Sequence, residues 1–203
     1  MTSIASGLDR PVLVDLLVRR SIVTDVAFVL GGVAVTAFLA QLVVPMWPVP
    51  ITGQTLAVLL VGASLGWARA ALSMALYIVA GIAGIPVVAP SAGGGHVTGL
   101  ALLATPSFGY ILGFVLAAAA VGWLAERTWD RRVLKALIAF IIGEAAIYAI
   151  GLPWLVASTG ANLEQTIAWG LAPFLIGDII KAAIAAALLP ATWAVLRRVR
   201  IKR

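Results

Sequence analysis

The sequence contains no cysteine and one histidine, His96. The first absence excludes a disulfide framework, a thiolate nucleophile and cysteine-ligated zinc or iron–sulfur. The second excludes HExxH and other multi-histidine metal sites. Charge is also scarce. Charged residues make up 11% of the 203 positions and hydrophobic ones 63%, with a mean hydropathy of +1.10. A soluble domain is about 25% charged and about 45–50% apolar, so this chain has too little polar surface to coat itself in water. That excludes an ordinary soluble enzyme and a disordered protein, and leaves a multi-span integral membrane protein. At about 20 residues per span, the length holds six or seven spans and no sizeable soluble domain.

The apolar runs that are present are hydrophobic on all sides and lack strand-like alternation, which predicts helices rather than a barrel. Turn and charge signals bound six of them, at about Ile22–Val44, Gln54–Leu65, Ala70–Ile85, Ser107–Ala125, Val133–Ile150 and Trp169–Leu196. The expected fold is therefore an all-α integral membrane protein, with six transmembrane helices in residues 22–196. Residues 1–21 form an amphipathic cytoplasmic segment, with a short helix over 8–20 lying at the membrane interface, and residues 197–203 form a basic cytoplasmic tail. Asp9, Asp15 and Asp25 punctuate the N-terminal stretch and no small-residue cleavage site follows, which argues against a cleavable signal peptide.

Charge asymmetry supplies the orientation. Of 14 Lys and Arg residues, 13 fall in the N-terminal stretch, the second and fourth loops and the C-terminal stretch, and the other three loops hold none. By the positive-inside rule that side is the cytoplasm, so both termini face inward across the cytoplasmic membrane. The net charge of +6 is then topological and not a nucleic-acid footprint.

The remaining base, Lys181, lies about 12 residues into the sixth span with Asp178 one turn earlier on the same face. Each unpaired charge at such depth costs about 2.5–3.5 kcal/mol. One reading is a salt bridge that locks the helix into the bundle. The other is a polar platform facing an internal cavity, with Gly177 and Pro173-Phe174 letting a ligand approach the backbone. Glu144 is a second buried acid, and Tyr148 at i+4 is placed to hydrogen-bond with it. It either lines the cavity or stays protonated.

Three further features are ambiguous. Gln54 brings a two-sided amide to the mouth of the second span, where Thr52 can cap the helix. The run Gly93-Gly94-Gly95, with Gly94 at its centre, either hugs a ligand or bends, and no GxxxxGK[ST] loop occurs. Gly32, Thr36 and Ala40 form a small-residue stripe that serves either internal packing or a partner. His96 reads as a solvated loop residue.

With these residues in view, the chain resembles the BioY family, the biotin-specific membrane components of energy-coupling-factor importers. Five blocks carry the resemblance, in order: PVPITGQT (48–55), AGIAGIPV (80–87), PSFGYILGF (106–114), IYAIGLPWL (147–155) and PFLIGDIIK (173–181). It implies a six-helix fold with a substrate cavity near the outer surface, and Asp178 and Lys181 as the family's binding pair. Where the family often carries asparagine, this chain reads Val88-Ala89-Pro90-Ser91, which makes Ser91 the substitute. The implied function is high-affinity biotin binding and uptake as the substrate-specific component, with no cofactor and no catalysis. Energy then comes from a separate transmembrane coupling subunit and paired ATPase subunits.

The chemistry of biotin is compatible. Its ureido head has two N–H donors and one carbonyl acceptor, which complement a carboxylate and an ammonium one turn apart. Lys181 meets either that carbonyl or the valerate carboxylate. Phe108, Tyr110, Tyr148, Trp154 and Phe174 are candidate walls. Two other classes compete. A proton- or sodium-coupled secondary transporter of a small polar heterocycle or carboxylate would use Asp178 or Glu144, but no inverted repeat is evident. An intramembrane enzyme lacks any Ser/His/Asp set or metal cluster.

Overall fold

The computed structural model describes residues 12–91 and 93–201, with side chains described as far as Leu196. Asp9, Arg10, Pro11, Ala92, Lys202, Arg203 and the side chains of the expected basic tail lie outside the described residues.

Seven helices and one short ribbon make up the regular structure among the described residues, apart from single 3-10 turns. The helices are α1 (Ile22–Ala40), α2 (Gln54–Leu65), α3 (Trp67–Ile82), α4 (Phe108–Ala125), α5 (Val133–Thr159), α6 (Leu163–Gly170) and α7 (Ala172–Ile201). β1 (Val43–Val44) pairs antiparallel with β2 (Ile51–Thr52), Val43 opposite Thr52. Four segments are long and apolar enough to cross a membrane: Ile22–Ala40, Phe108–Ala125, Val133–Thr159 and Leu163–Leu196. α2 and α3 are shorter apolar helices.

α4 is the central post. Two thirds of its apolar window (67%) is buried against 17% for α1, so α4 faces protein and α1 faces largely outward. α4 packs on α2, α3 and α5, and α7 closes the bundle against α5 and α2. The α2–α3 turn crosses α4 at backbone distance. A Cβ on Gly122 would lie 2.5 Å from the backbone of Gly66 and Trp67, and Gly66 turns the chain with a positive φ of 81°. Gly32, Thr36 and Ala40 are all buried, and a Cβ on Gly32 would meet Ser73 Oγ at 2.6 Å. The small-residue stripe is thus internal packing.

Several boundaries differ from the sequence reading, each for a local reason. The first span stops at Ala40, because Val43-Val44 leave the helix to pair with β2. The third starts at Trp67 directly after Gly66, which puts Arg69 inside the helix, and ends at Ile82. The fifth runs through Pro153 to Thr159 before Gly160 ends it in the left-handed region. A proline lacks one N–H, but packed neighbours make that tolerable in a membrane helix. The expected start of the sixth span at Trp169 is instead the end of a separate helix. Asn162 caps α6 by accepting from Gln165 N at 2.9 Å, and α7 starts afresh at Ala172.

The N-terminal segment also differs. Its described part is a single 3-10 turn, Leu13–Leu16, and Val12, Leu13 and Val14 are buried in the protein core. They are apolar enough to pack beside α2, and the next residue, Asp15, ties the segment to α3 through an ion pair. Arg69 reaches Asp15 at 2.6 Å and Asp25 at 3.4 Å, and Arg20 reaches Asp25 at 3.6 Å. Glu126 accepts from Trp67 N at 3.0 Å. Trp193 Nε1 donates to Asp130, and the Arg131 guanidinium lies 4.1 Å over the Trp193 ring. These contacts gather the N-terminal segment, the α2–α3 turn, the α4–α5 turn and the later part of α7 at one end of the bundle. The cavity described next is at the other end.

Candidate ligand-binding cavity

The start of α2, α4 and α7 and the middle of α5 converge below the loops, and enclose a cavity of about 370 Å³. That volume lies in the range of small-molecule sites, about 300–1,000 Å³. Its walls follow helical spacing, with Tyr110, Ile111 and Phe114 on α4, Glu144, Ile147 and Tyr148 on α5, and Phe174, Asp178 and Lys181 on α7. The mouth is made by the ribbon connection Met46–Pro50 and by loop residues including Ser91, Gly93 and Pro106. Trp47 of that connection meets Trp169 of α6 edge to face, 5.1 Å between ring centres.

The polar wall is a connected network. Lys181 Nζ donates to Asp178 Oδ1 at 3.2 Å and to Thr55 Oγ1 at 2.9 Å. The Tyr148 hydroxyl donates to Asp178 Oδ2. This corrects the expected Tyr148–Glu144 pairing, because α7 brings an acceptor closer to the phenol than its own helix does. Both oxygens of Glu144 are buried without a hydrogen-bond partner among the described residues. Because α7 starts at Ala172, Lys181 stands nine residues into it, about 14 Å along the axis, nearer the helix start than the expected 12 residues.

Gln54 is buried, with its amide engaged on both sides. It accepts from Thr52 Oγ1 at 2.9 Å, and its Nε2 donates to Tyr77 OH at 2.7 Å. Tyr77 OH then donates to Val87 O at 2.9 Å, tying α2, α3 and the following loop together. The apolar wall is as ordered. Tyr110 stacks on Phe174 with an interplanar angle of 27° and meets Tyr148 edge-on, and its hydroxyl donates to Gly170 O at 2.9 Å. Gly151 makes room for that ring, since a Cβ there would lie 2.5 Å from it.

Of the sequence candidates, Asp178, Lys181, Gln54, Ser91, Tyr110, Tyr148, Phe174 and Glu144 line the cavity. Trp154 and Gly94 do not. Trp154 stands behind the wall, edge-on to Phe108 at 5.5 Å, with Nε1 donating to Thr105 O at 3.0 Å. Phe108 is buried in the core and does not line the cavity either. Gly94 forms the apex of a turn at φ 88°, and its neighbour Gly93 reaches the cavity instead. Ser91 lines the mouth, but its hydroxyl donates to Gly95 O at 2.9 Å. Gly177 faces Ile51 at 4.0 Å rather than the cavity. His96 is exposed, but its Nδ1 lies 2.7 Å from Val88 O, which pins the loop.

Thr55 and Tyr77 were missed as site residues. Thr55 sits beside Gln54 in the PVPITGQT block, and a hydroxyl at a span mouth opposite a buried lysine was the available signal. Tyr77 gave none, since its partners lie 23 and 10 residues away.

The chain matches the BioY family over residues 10–198. Biotin transporter BioY of Rhizobium etli is 33% identical over 148 residues, which cover 70% of this chain and 76% of that protein. Probable biotin transporter BioY of Pyrococcus horikoshii is 36% identical over 162 residues, covering 79% and 91%. A crystal structure at 2.1 Å of the S-component for biotin from an ECF-type ABC transporter shares the fold, with a TM-score of 0.69 at 23% identity over 88% of this chain and 91% of that one. With a family match over nearly its whole length, the chain belongs to the BioY family.

Proposed function

We infer that this protein is the biotin-binding substrate component of an energy-coupling-factor importer, carrying biotin across the cytoplasmic membrane. It is a multi-pass membrane transport protein. Family membership supports the substrate, and the relatives named above are themselves called biotin transporters. The observation that carries the reading is the Asp178–Lys181 pair on a wall of a largely apolar cavity.

Asp178 keeps lone pairs beyond those taken by Tyr148 and Lys181, and Lys181 keeps a third N–H beyond Asp178 and Thr55. A ureido N–H donates to the first and the ureido carbonyl accepts from the second. Tyr110, Ile147 and Phe174 pack on the thiophane ring, and the valerate tail runs toward the loops. Gln54 and Thr55 hold the polar wall in place, and Ser91 and the glycine turn border the mouth.

The finer topology belongs to the same proposal: six crossings by α1, α2, α3, α4, α5 and α7, with α6 at the outer end and both termini cytoplasmic. The gathering of Arg20, Arg69 and Arg131 contacts at the end opposite the cavity supports it. Energy is supplied by a separate transmembrane coupling subunit and paired ATPase subunits. A stand-alone proton- or sodium-coupled transporter is not favoured by the family.

Calorimetric titration of the detergent-purified chain with biotin, without nucleotide, tests the proposal. Saturable binding below micromolar biotin is expected. No heat and no competition at micromolar biotin would contradict it.

A further inference from the structure

Three buried polar side chains line the cavity: Gln54, Glu144 and Asp178. Gln54 and Asp178 are hydrogen-bonded to protein, whereas neither oxygen of Glu144 has a partner among the described residues. Glu144 is 8% exposed, so its carboxyl is shut away from bulk water yet borders the cavity. A buried carboxyl without donors costs several kcal/mol, and such a group inside a membrane protein marks a site of function.

The helix that carries Glu144 has no freedom to turn it elsewhere. A Cβ on the adjacent Gly143 would lie 2.8 Å from Leu59 and Val121, and one on Gly113 of α4 would lie 2.8 Å from the backbone of Ile147. One turn beyond Glu144, Tyr148 commits its hydroxyl to Asp178. The natural same-helix donor is therefore used up, and Glu144 is left to a donor that arrives in the cavity.

The chemistry of that donor follows from the neighbours. Lys181, with its one remaining N–H, is bonded to Asp178 and Thr55 and lines the same cavity as Glu144. The wall thus offers the oxygens of two carboxyl groups as acceptors, with a single ammonium donor on the same cavity. A cyclic urea has the complementary pattern, two N–H donors flanking one carbonyl. We propose that Glu144 accepts one ureido N–H of biotin while Asp178 accepts the other, so that the site selects ligands carrying both. This rests on the biotin reading above and deepens it. It also assigns Lys181 to the ureido carbonyl. A valerate carboxylate beside Lys181 would face Asp178, and like charge directs that end to the loops instead.

The test is a cycle between residue and ligand. Biotin and its two ureido N-methyl derivatives, methylated at one nitrogen or the other, are titrated into the wild-type chain, Glu144→Gln and Glu144→Ala. Glu144→Ala removes the acceptor and is expected to weaken biotin about tenfold, the scale of one hydrogen bond to a buried group, and Glu144→Gln, which keeps a carbonyl oxygen, is expected to weaken it less. Both methyl derivatives bind the wild type at least tenfold more weakly, and one of the two penalties disappears in Glu144→Ala. Biotin affinity within twofold of wild type in folded Glu144→Ala, alongside a large loss in Asp178→Asn, overturns the Glu144 assignment and leaves the biotin reading intact. A wild type that binds no biotin overturns that reading itself. Should the Glu144 variants fail to fold, the wild-type measurements still decide, because either methyl derivative binding like biotin refutes the proposal.

Discussion

Two buried ion pairs lie at opposite ends of this molecule and are built differently. At the end away from the cavity Arg69, 11% exposed, stands between Asp15 and Asp25, so that one guanidinium joins α3 to the N-terminal segment and to α1. At the cavity end Asp178 and Lys181 are three residues apart on one helix. A pair within a single helix joins nothing by itself. Its tertiary reach comes from Thr55 and Tyr148, and its unspent donor and lone pairs border the cavity. The difference teaches where each residue's energy is used. The first pair closes the chain on itself, and the second keeps an unspent donor and lone pairs on the wall of a cavity.

Single substitutions sharpen that contrast. Asp178→Asn keeps the volume but exchanges an anionic acceptor for an amide, and biotin affinity is expected to fall about 10- to 100-fold per lost bond, with little change in melting temperature. The Lys181 left behind retains Thr55 as a partner.

Arg69→Met predicts the reverse. Removing one partner of a buried pair costs about 3–5 kcal/mol, reduced here to about 1–3 kcal/mol because Asp15 and Asp25 keep some water. A lower melting temperature with unchanged biotin affinity is the expected result, read by thermal unfolding and calorimetry on the same sample. A change in affinity without loss of stability would erase the distinction between the two ends.

Smaller changes probe the walls between them. Gly151→Ala puts a methyl 2.5 Å from the Tyr110 ring, which must then shift off Phe174 and Gly170. Overpacking of this kind costs about 1–3 kcal/mol, and biotin affinity should fall several-fold with it. Tyr77→Phe removes the donor to Val87 and the acceptor for Gln54, a loss of about 1 kcal/mol with at most a few-fold effect on affinity. Equal melting curves for Tyr77→Phe and wild type would show that this linkage carries no stability.

The cavity pair was readable in the sequence because its two members are neighbours on one helix and stand in a long apolar run. Turn and charge signals likewise made the limits of α2 and α4 legible. What one helix does to another was not. Tyr148 was expected to bond Glu144 at i+4, but the Asp178 acceptor lies 30 residues away on α7. Trp154 was read as a wall because aromatics line pockets, yet its indole turns to Thr105 behind the wall. The capping pattern Asn162-x-x-Gln165 signalled α6, but lay hidden in what was read as an outer loop. Arg69 appeared only as a topological charge, since its partners lie 54 and 44 residues earlier in the chain.

The central claim, that the cavity pair is open for a ligand and not a brace, is tested most directly by the double variant Asp178→Asn with Lys181→Met. Biotin affinity and melting temperature are measured for it and for both single variants. The account predicts a folded double variant whose biotin affinity has fallen at least about 100-fold, with the two losses in series. Wild-type affinity in the folded double variant, with instability confined to the single ones, would identify the pair as a structural brace and contradict the site assignment.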